Sequence, residues 1–421
     1  MVRWRTTICC SAVALIAALA THVRAQTTPA PRRAVKQTRS ADDKTPLSLF
    51  PLRPAWSLPL NNALTAPVGF RDKYAVFALE NDQLAAYDLE RGARLWLANI
   101  ETTIQPAIGT DAVFIATDDA LLALSLGDGT TIWTQESNDE LAVTPVVAGE
   151  QLIVATADGD IVAHRTSDGG ETWRRRLPRS ASSPPAFTAT RLFVALADTT
   201  IVALDLQNGD VAWTTHLGGI GHDILPDGDR IFLGSQDRYF YCLNAKSGEV
   251  EWRWPTGADA IGLPVVDDRT VYFVSLDNVL RALNRSSGVQ RWKSPLAVRP
   301  IAGPLRYLET LVVAGTTPLL QAYDTREGKT QGRYNVPTEL SAPPYLFTDR
   351  TRVFPVLVTI SADIIGRATV SGTTRDMEPA PLALSPLPNA ETVPSIPDMP
   401  EPLSEVSALP NLIRVVPADG R

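Results

Sequence analysis

Three cysteines occur in 421 residues, and two of them, Cys9 and Cys10, fall within the first 25. Cys242 alone remains beyond that stretch, so no internal disulfide forms there and the fold must rest on packing. Histidine is nearly as scarce: past residue 25 only His164, His216 and His222 occur. They show no i, i+4 pair and no His/Cys grouping of the kind a zinc site needs. No Gly-rich phosphate loop opens a helix and no Gly-x-Ser-x-Gly elbow appears, so nucleotide and acyl-transfer chemistry are without a motif. Past residue 25 no apolar run reaches about 18 residues, which excludes a membrane-spanning helix. Basic charge is short as well, with 39 Lys and Arg against 46 Asp and Glu. That balance disfavours nucleic acid and anionic membrane as partners.

The first 25 residues have the form of a secretory signal. Arg3 and Arg5 supply the positive start, Ile8 to Ala20 the apolar run, and Val23-Arg24-Ala25 a small-x-small cleavage site. Cleavage after Ala25 is expected, giving a periplasmic or secreted protein. It removes three Arg and no acid, which leaves 36 basic and 46 acidic residues and a formal charge of −10. Neither Cys9 nor Cys10 follows the Leu-x-x pattern of lipoproteins, so no lipid anchor is expected. Residues 26–50 are polar and basic, with Arg32, Arg33, Lys36, Arg39 and Lys44, and read as a flexible linker. Residues 373–421 are proline-rich; past residue 376 the chain holds ten of the 33 prolines and no aromatic residue. This composition predicts a disordered tail that is either a ligand for a partner or a solvated spacer.

Between these ends one pattern recurs. Gly209 precedes Trp213 by four residues, and the pair returns as Gly92/Trp96, Gly129/Trp133, Gly169/Trp173, Gly248/Trp252 and Gly288/Trp292. Successive Trp lie 37, 40, 40, 39 and 40 residues apart, the period of a repeat architecture. Within each repeat, four short apolar or alternating runs are separated by turn residues such as Asp158-Gly159, a hairpin signal. Four strands per repeat with no helical period predicts an all-β propeller over residues 51–372. Gly is expected to turn the chain between the third and fourth strands, and Trp to lie against the neighbouring blade. A seventh position has lost its Trp to Gly332, and Trp56 stands 40 residues before Trp96 without a blade of its own. Residues 338–371 supply three strands, near Ala342–Leu346, Arg352–Thr359 and Ile364–Val370, without a fourth. The arithmetic closes at eight blades when the N-terminal strand bearing Trp56 completes the last one, leaving no open edge. A proline marks the start of most inner strands, from Pro67 to Pro344, where a missing N–H is tolerated.

The pattern A-x-D-x-x-x-G-x-x-x-W, seen as Ala86-Asp88-Gly92-Trp96 and Ala203-Asp205-Gly209-Trp213, resembles the tryptophan-docking motif of eight-bladed propellers of the pyrroloquinoline-quinone (PQQ) type. Ser125, Arg165, Asn244 and Asn284 replace its Asp elsewhere. The resemblance implies one of two activities. Quinoprotein alcohol dehydrogenases of this family hold PQQ and calcium in the channel; cofactor-free scaffolds include the propeller lipoprotein of the outer-membrane β-barrel assembly machinery. Uniform blades and a single Cys are similar to the second group. The expectation is therefore a non-enzymatic scaffold with protein partners in envelope or outer-membrane assembly, and with no cofactor, metal or catalytic residue of its own.

Four local features stand out beside the repeat. His222-Asp223 falls near a channel mouth, as a general-base pair or a lining element. Asp82, Asp118, Asp158, Asp198, Asp237 and Asp277 recur at turns, either gathering a cation or simply favoured by turn geometry. Arg174, Arg175 and Arg176 form the densest basic cluster, for an acidic partner or for solvent. Cys242 sits where other repeats have Ala, as a small buried hydrophobe.

Overall fold

The computed structural model describes residues 48–348 and 352–376. The expected signal, most of the linker and the tail past residue 376 lie outside the described residues, whereas residues 373–375, assigned to the tail by composition, end the strand Ala368–Arg375 and pair with the N-terminal strand. Within them the chain forms 32 strands and no helix, arranged as eight four-stranded antiparallel sheets. Blades one to seven take their strands in chain order and occupy residues 69–99, 107–136, 146–176, 186–216, 225–255, 260–295 and 305–335. Blade eight takes three strands from the C-terminal end, Tyr345–Phe347, Val356–Ala362 and Ala368–Arg375, and its outermost from Leu52–Pro59. The ring is thus an eight-bladed β-propeller closed by its N-terminal strand.

Strand composition follows position in the blade. A middle strand such as Arg191–Ala195 is covered on both faces by neighbouring blades and is apolar after its first residue. An outer strand such as Glu171–Arg176 faces solvent and buries only its Trp. Consequently the core is divided. Eight apolar clusters occur, each shared by two adjacent blades, and each contains at least one aromatic residue from an outer strand or its extension.

The repeat motif explains these seams. Trp96, Trp133, Trp173, Trp213, Trp252 and Trp292 each pair across their own blade with a small residue, Ala or, opposite Trp252, Cys242. The indole therefore leans outward onto the next blade and lands on that blade's turn glycine. A Cβ at Gly129, Gly169, Gly209, Gly248, Gly288 or Gly328 would come within 3.0 Å of the preceding blade's Trp. Gly92 and the six receiving glycines also have positive φ, between 64° and 75°, so both backbone and neighbour demand glycine. Each of the six indole Nε1 atoms then donates to a carbonyl of the same turn, over 2.9–3.2 Å, as Trp173 does to Leu206. The Gly and Trp of one repeat do not pair with each other; each joins the repeat before or after it.

The variable Asp position has a separate role. Asp88, Asp205 and Asp324 accept backbone N–H groups of the turn that carries the glycine, and Asn244 and Asn284 do the same. Asn and Asp serve equally because only an acceptor oxygen is used. Where Ser125 and Arg165 stand instead, Asp128 and Asp168 accept from Thr130 and Gly170.

Two departures from the sequence reading occur near closure. In blade eight the second strand begins at Val356 rather than Arg352, because Pro355 lacks a ladder donor. The third begins at Ala368 rather than Ile364, because Asp363 caps a turn by accepting from Ile365 and Arg367. The other concerns Leu49 and Phe50, placed at the end of the linker by composition. They are 0% and 4% exposed and pack with Val312, Ala314, Leu320, Ala322 and Val336 of blade seven and Leu357 of blade eight. A Cβ at Gly332 would lie 2.7 Å from the Phe50 ring. Phe50 therefore fills the seam left by the missing Trp of blade seven. Ser48 anchors it by a 3.1 Å hydrogen bond to Gln331 and by accepting from Arg375. One N-terminal segment thus closes two seams, with Phe50 between blades seven and eight and Trp56 between eight and one.

A buried Trp covers about 200 Å², so Trp213→Ala is expected to cost about 3–5 kcal/mol. Urea titration checks this, and an unchanged midpoint would contradict the docking role. Phe50→Ala is expected to cost about 3–5 kcal/mol as well, in one cooperative transition and not as fraying of a single end.

Candidate functional site

Antiparallel order places all blade-to-blade connections at one end of the ring, together with the turns between second and third strands. The glycine turns lie at the opposite end, as do Ser48 and Asp376, whose N–H donates to the Pro51 carbonyl. No connection between blades exceeds nine residues. Each of six connections makes a single bridge to its own blade's second strand, as Ala181 does to Leu196, so the connections are pinned close to the strand ends. This connection face is the candidate site.

At its centre, residues of successive connections bridge neighbouring blades. Gln105 Nε2 donates to the Val68 carbonyl at 2.9 Å, and Thr144 donates to Gln105 Oε1 at 3.3 Å. Ser182 donates to the Gly221 carbonyl at 3.0 Å. His222 and Asp223 belong to the same series. The His222 N–H is fixed to the Gly234 carbonyl at 2.9 Å, while its Nε2 is enclosed and has no partner. Burial pushes the Asp223 carboxyl above the usual carboxylate range, opposed by the adjacent His222. Among the described residues no hydroxyl or thiol is hydrogen-bonded to either side chain.

The other candidates are dispersed. His164 is buried with Nδ1 2.9 Å from the Gly169 carbonyl, and His216 Nδ1 lies 3.1 Å from Thr200 Oγ1. The recurring turn acids occupy one turn per blade, and several are used locally. Asp198 accepts from Thr200 at 2.7 Å, Asp237 from Tyr239 at 3.1 Å, and Asp277 from Ser275 at 2.6 Å. Among the described residues no group of three or more His, Cys, Asp or Glu is placed to hold a metal ion. The arginine cluster is occupied internally. Arg174 bridges Asp139, Asp160 and Glu171, Arg176 reaches Asp160, and Arg175 ties blade three to Gly209 and Asp210 of blade four. The cluster is thus a partly exposed edge whose charges are shared with acids of its own blade and of blade four.

Cys242 is fully buried opposite Trp252 in the seam between blades five and six, and burial pushes its thiol up to about 12. Among the described residues Cys242 is the one free cysteine.

A family described as outer membrane protein assembly factor BamB matches residues 53–144, 118–223 and 215–353. BamB from Moraxella catarrhalis is similar over 76% of this chain and 100% of its own, at 18% identity and a TM-score of 0.63. The quinohemoprotein alcohol dehydrogenase ADHIIG from Pseudomonas putida HK5 is similar over 80% of this chain and 78% of its own, at 13% identity and a TM-score of 0.62. The computationally designed Ika8 protein reaches a TM-score of 0.63 at 13% identity, over 76% of this chain and 99% of its own. At such identities these likenesses show the fold alone. No curated protein matches the sequence.

The Cys242 environment yields a pH test. A thiol raised from about 9 in the unfolded chain to about 12 in the folded one keeps its proton only when folded in that window. Stability is therefore fully present below about pH 9 and falls as pH rises through the window, by up to about 1.4 kcal/mol per unit for this group. Cys242→Ala, which restores the residue found opposite the other docked Trp, is expected to leave stability near pH 7 within about 1 kcal/mol and to flatten the decline above pH 9. Urea midpoints from pH 7 to 10 check both.

Proposed function

Because the chain belongs to the family described as outer membrane protein assembly factor BamB, we propose that it is a non-enzymatic scaffold of the bacterial envelope, exported through its N-terminal signal, that docks proteins of outer-membrane assembly. The observation that carries this reading is the plain connection face. No connection between blades is longer than nine residues, so among the described residues none forms an inserted lid over the mouth. An enzyme of this fold builds an enclosed site from added segments; a scaffold needs a broad surface of fixed shape.

The seams make that surface stiff. Six seams are tied by a docked Trp and its hydrogen bond and the other two by Phe50 and Trp56, so a partner meets loops already held in position. Pre-organisation lowers the ordering cost of association, and a face shared by several blades readily supplies about 800 Å² per partner, the area of an ordinary specific interface. The outer strands add a second mode, because each ends its sheet with unpaired backbone groups suited to strand addition.

The alternative activity is a PQQ-dependent dehydrogenase, since quinohemoprotein relatives share the fold. The two are separated by incubating the mature chain with PQQ and calcium and dialysing. The scaffold reading expects no retained quinone absorbance and an unchanged melting temperature; retained quinone with a raised melting temperature would overturn it. In cells, a photo-crosslinking residue at Arg179, on the connection face, is expected to give adducts with outer-membrane assembly proteins. One at Asn208, on the opposite face, is expected to give none. Adducts from Asn208 only would contradict the assignment of the face.

A further inference from the structure

Between Arg94 and Arg165 the chain contains no Lys or Arg and eleven acidic residues. That stretch comprises all of blade two, the connections on either side of it, and the first half of blade three. Elsewhere in the ring acids are commonly neutralised within or between strands, as in Lys73–Asp88, Arg191–Asp205, Arg230–Glu251, Arg281–Asp277 and Arg326–Glu309. Within the stretch only Asp139 and Asp160 have such partners, and these come from Arg174 and Arg176 beyond it.

On the connection face this sector forms a groove of about 980 Å³, bounded by residues 99–104, 117–120 and 138–141. Ile100, Ile104, Leu122 and Leu141 line it and remain partly exposed. Exposed Glu101, Asp118, Asp119 and Glu140 stand along its rim. The carboxylates of Glu101, Asp118 and Glu140 make no hydrogen bond or ion pair among the described residues. An apolar floor under unpaired carboxylates suits one kind of occupant, a chain bearing apolar side chains for the floor and cations for the rim. A bare metal ion would leave the floor uncovered, and nucleic acid would be repelled by the rim. The chain's own basic stretch, Arg32 to Lys44, has only Ala34, Val35 and Ala41 for the floor.

We infer that this groove is the docking site for a partner-protein segment in which Lys or Arg flank large aliphatic residues. The inference rests on the scaffold reading and names the chemistry of one of its partners. Rim attraction speeds encounter and weakens with salt, whereas the floor supplies the contact that holds the segment.

The test uses the mature chain and three labelled ten-residue peptides of alternating Lys/Leu, Lys/Ser and Glu/Leu, followed by fluorescence anisotropy. Lys/Leu is expected to bind at least tenfold more tightly than either of the others. The exposed-rim variant Glu101→Gln, Asp118→Asn, Glu140→Gln is expected to weaken it at least tenfold. A variant losing the same charge elsewhere on the face, Asp82→Asn, Asp259→Asn, Glu339→Gln, is expected to weaken it less than threefold. Equal weakening by both variants, or binding of Lys/Ser equal to that of Lys/Leu, would reduce the groove to diffuse charge and overturn the inference. So would a tenfold gain in Lys/Leu affinity on changing Arg32, Arg33, Lys36 and Arg39 to Ser, which would assign the groove to the chain's own segment. If the rim variant keeps its Arg179 crosslinks to assembly proteins while Lys/Leu binding never appears, the groove inference falls and the scaffold reading stands.

Discussion

Everything in this ring depends on an indole resting on a neighbour's glycine. Because the eight sheets share no strand pairing among the described residues, side-chain packing must hold the ring, and a docked Trp stands at each of six seams. The demand propagates in both directions. Towards its own blade, the Trp needs a small residue opposite it, which accounts for the Ala series and for Cys242. Towards the next blade, it needs a turn with no Cβ and an outward carbonyl, which accounts for the glycine and for the Asp or Asn that shapes the turn. A four-position motif is thus the imprint of two interfaces at once.

Much of this was legible in the sequence because it repeats. The period, the strand count, the eight blades and the closing role of Trp56 all follow from spacing. What was not legible is whatever occurs once. Phe50 has no counterpart 40 residues away, so composition assigned it to a linker, while the loss of Trp at Gly332 appeared only as a gap. The displaced strands of blade eight have the same origin: a local proline and an Asp-capped turn override the repeat register. The candidate site shows the contrast more sharply. The face itself follows from topology, yet Arg174, Arg175 and Arg176 read as a basic patch because Asp139, Asp160 and Asp210 reach them only through folding. The acidic sector was present in the sequence as a charge run, but its concavity arises from three loops packing together.

The same economy bears on function. A ring held by identical seams tolerates variation at its loops, so the fold hosts both quinone enzymes and scaffolds. Here the connections between blades stay short, and the chain belongs to the family described as outer membrane protein assembly factor BamB. Rigidity and an open face suit the docking role proposed above, and under that proposal the charge of blade two selects the segment bound there. Both ends of the described chain leave from the opposite face, which keeps the connection face clear of them.

The central physical claim is that each seam holds one aromatic slot and that Phe50 occupies the slot vacated at position 332. A double-mutant cycle on Phe50 and Gly332, read by urea unfolding, tests it most directly. Gly332→Trp alone meets the Phe50 ring, and Phe50→Ala alone leaves a cavity, so each should destabilise the protein. Combined, the indole should take the slot and recover part of the loss, with a favourable coupling of about 1–3 kcal/mol. Strictly additive losses would contradict the account, since they would mean that the two positions do not share one site.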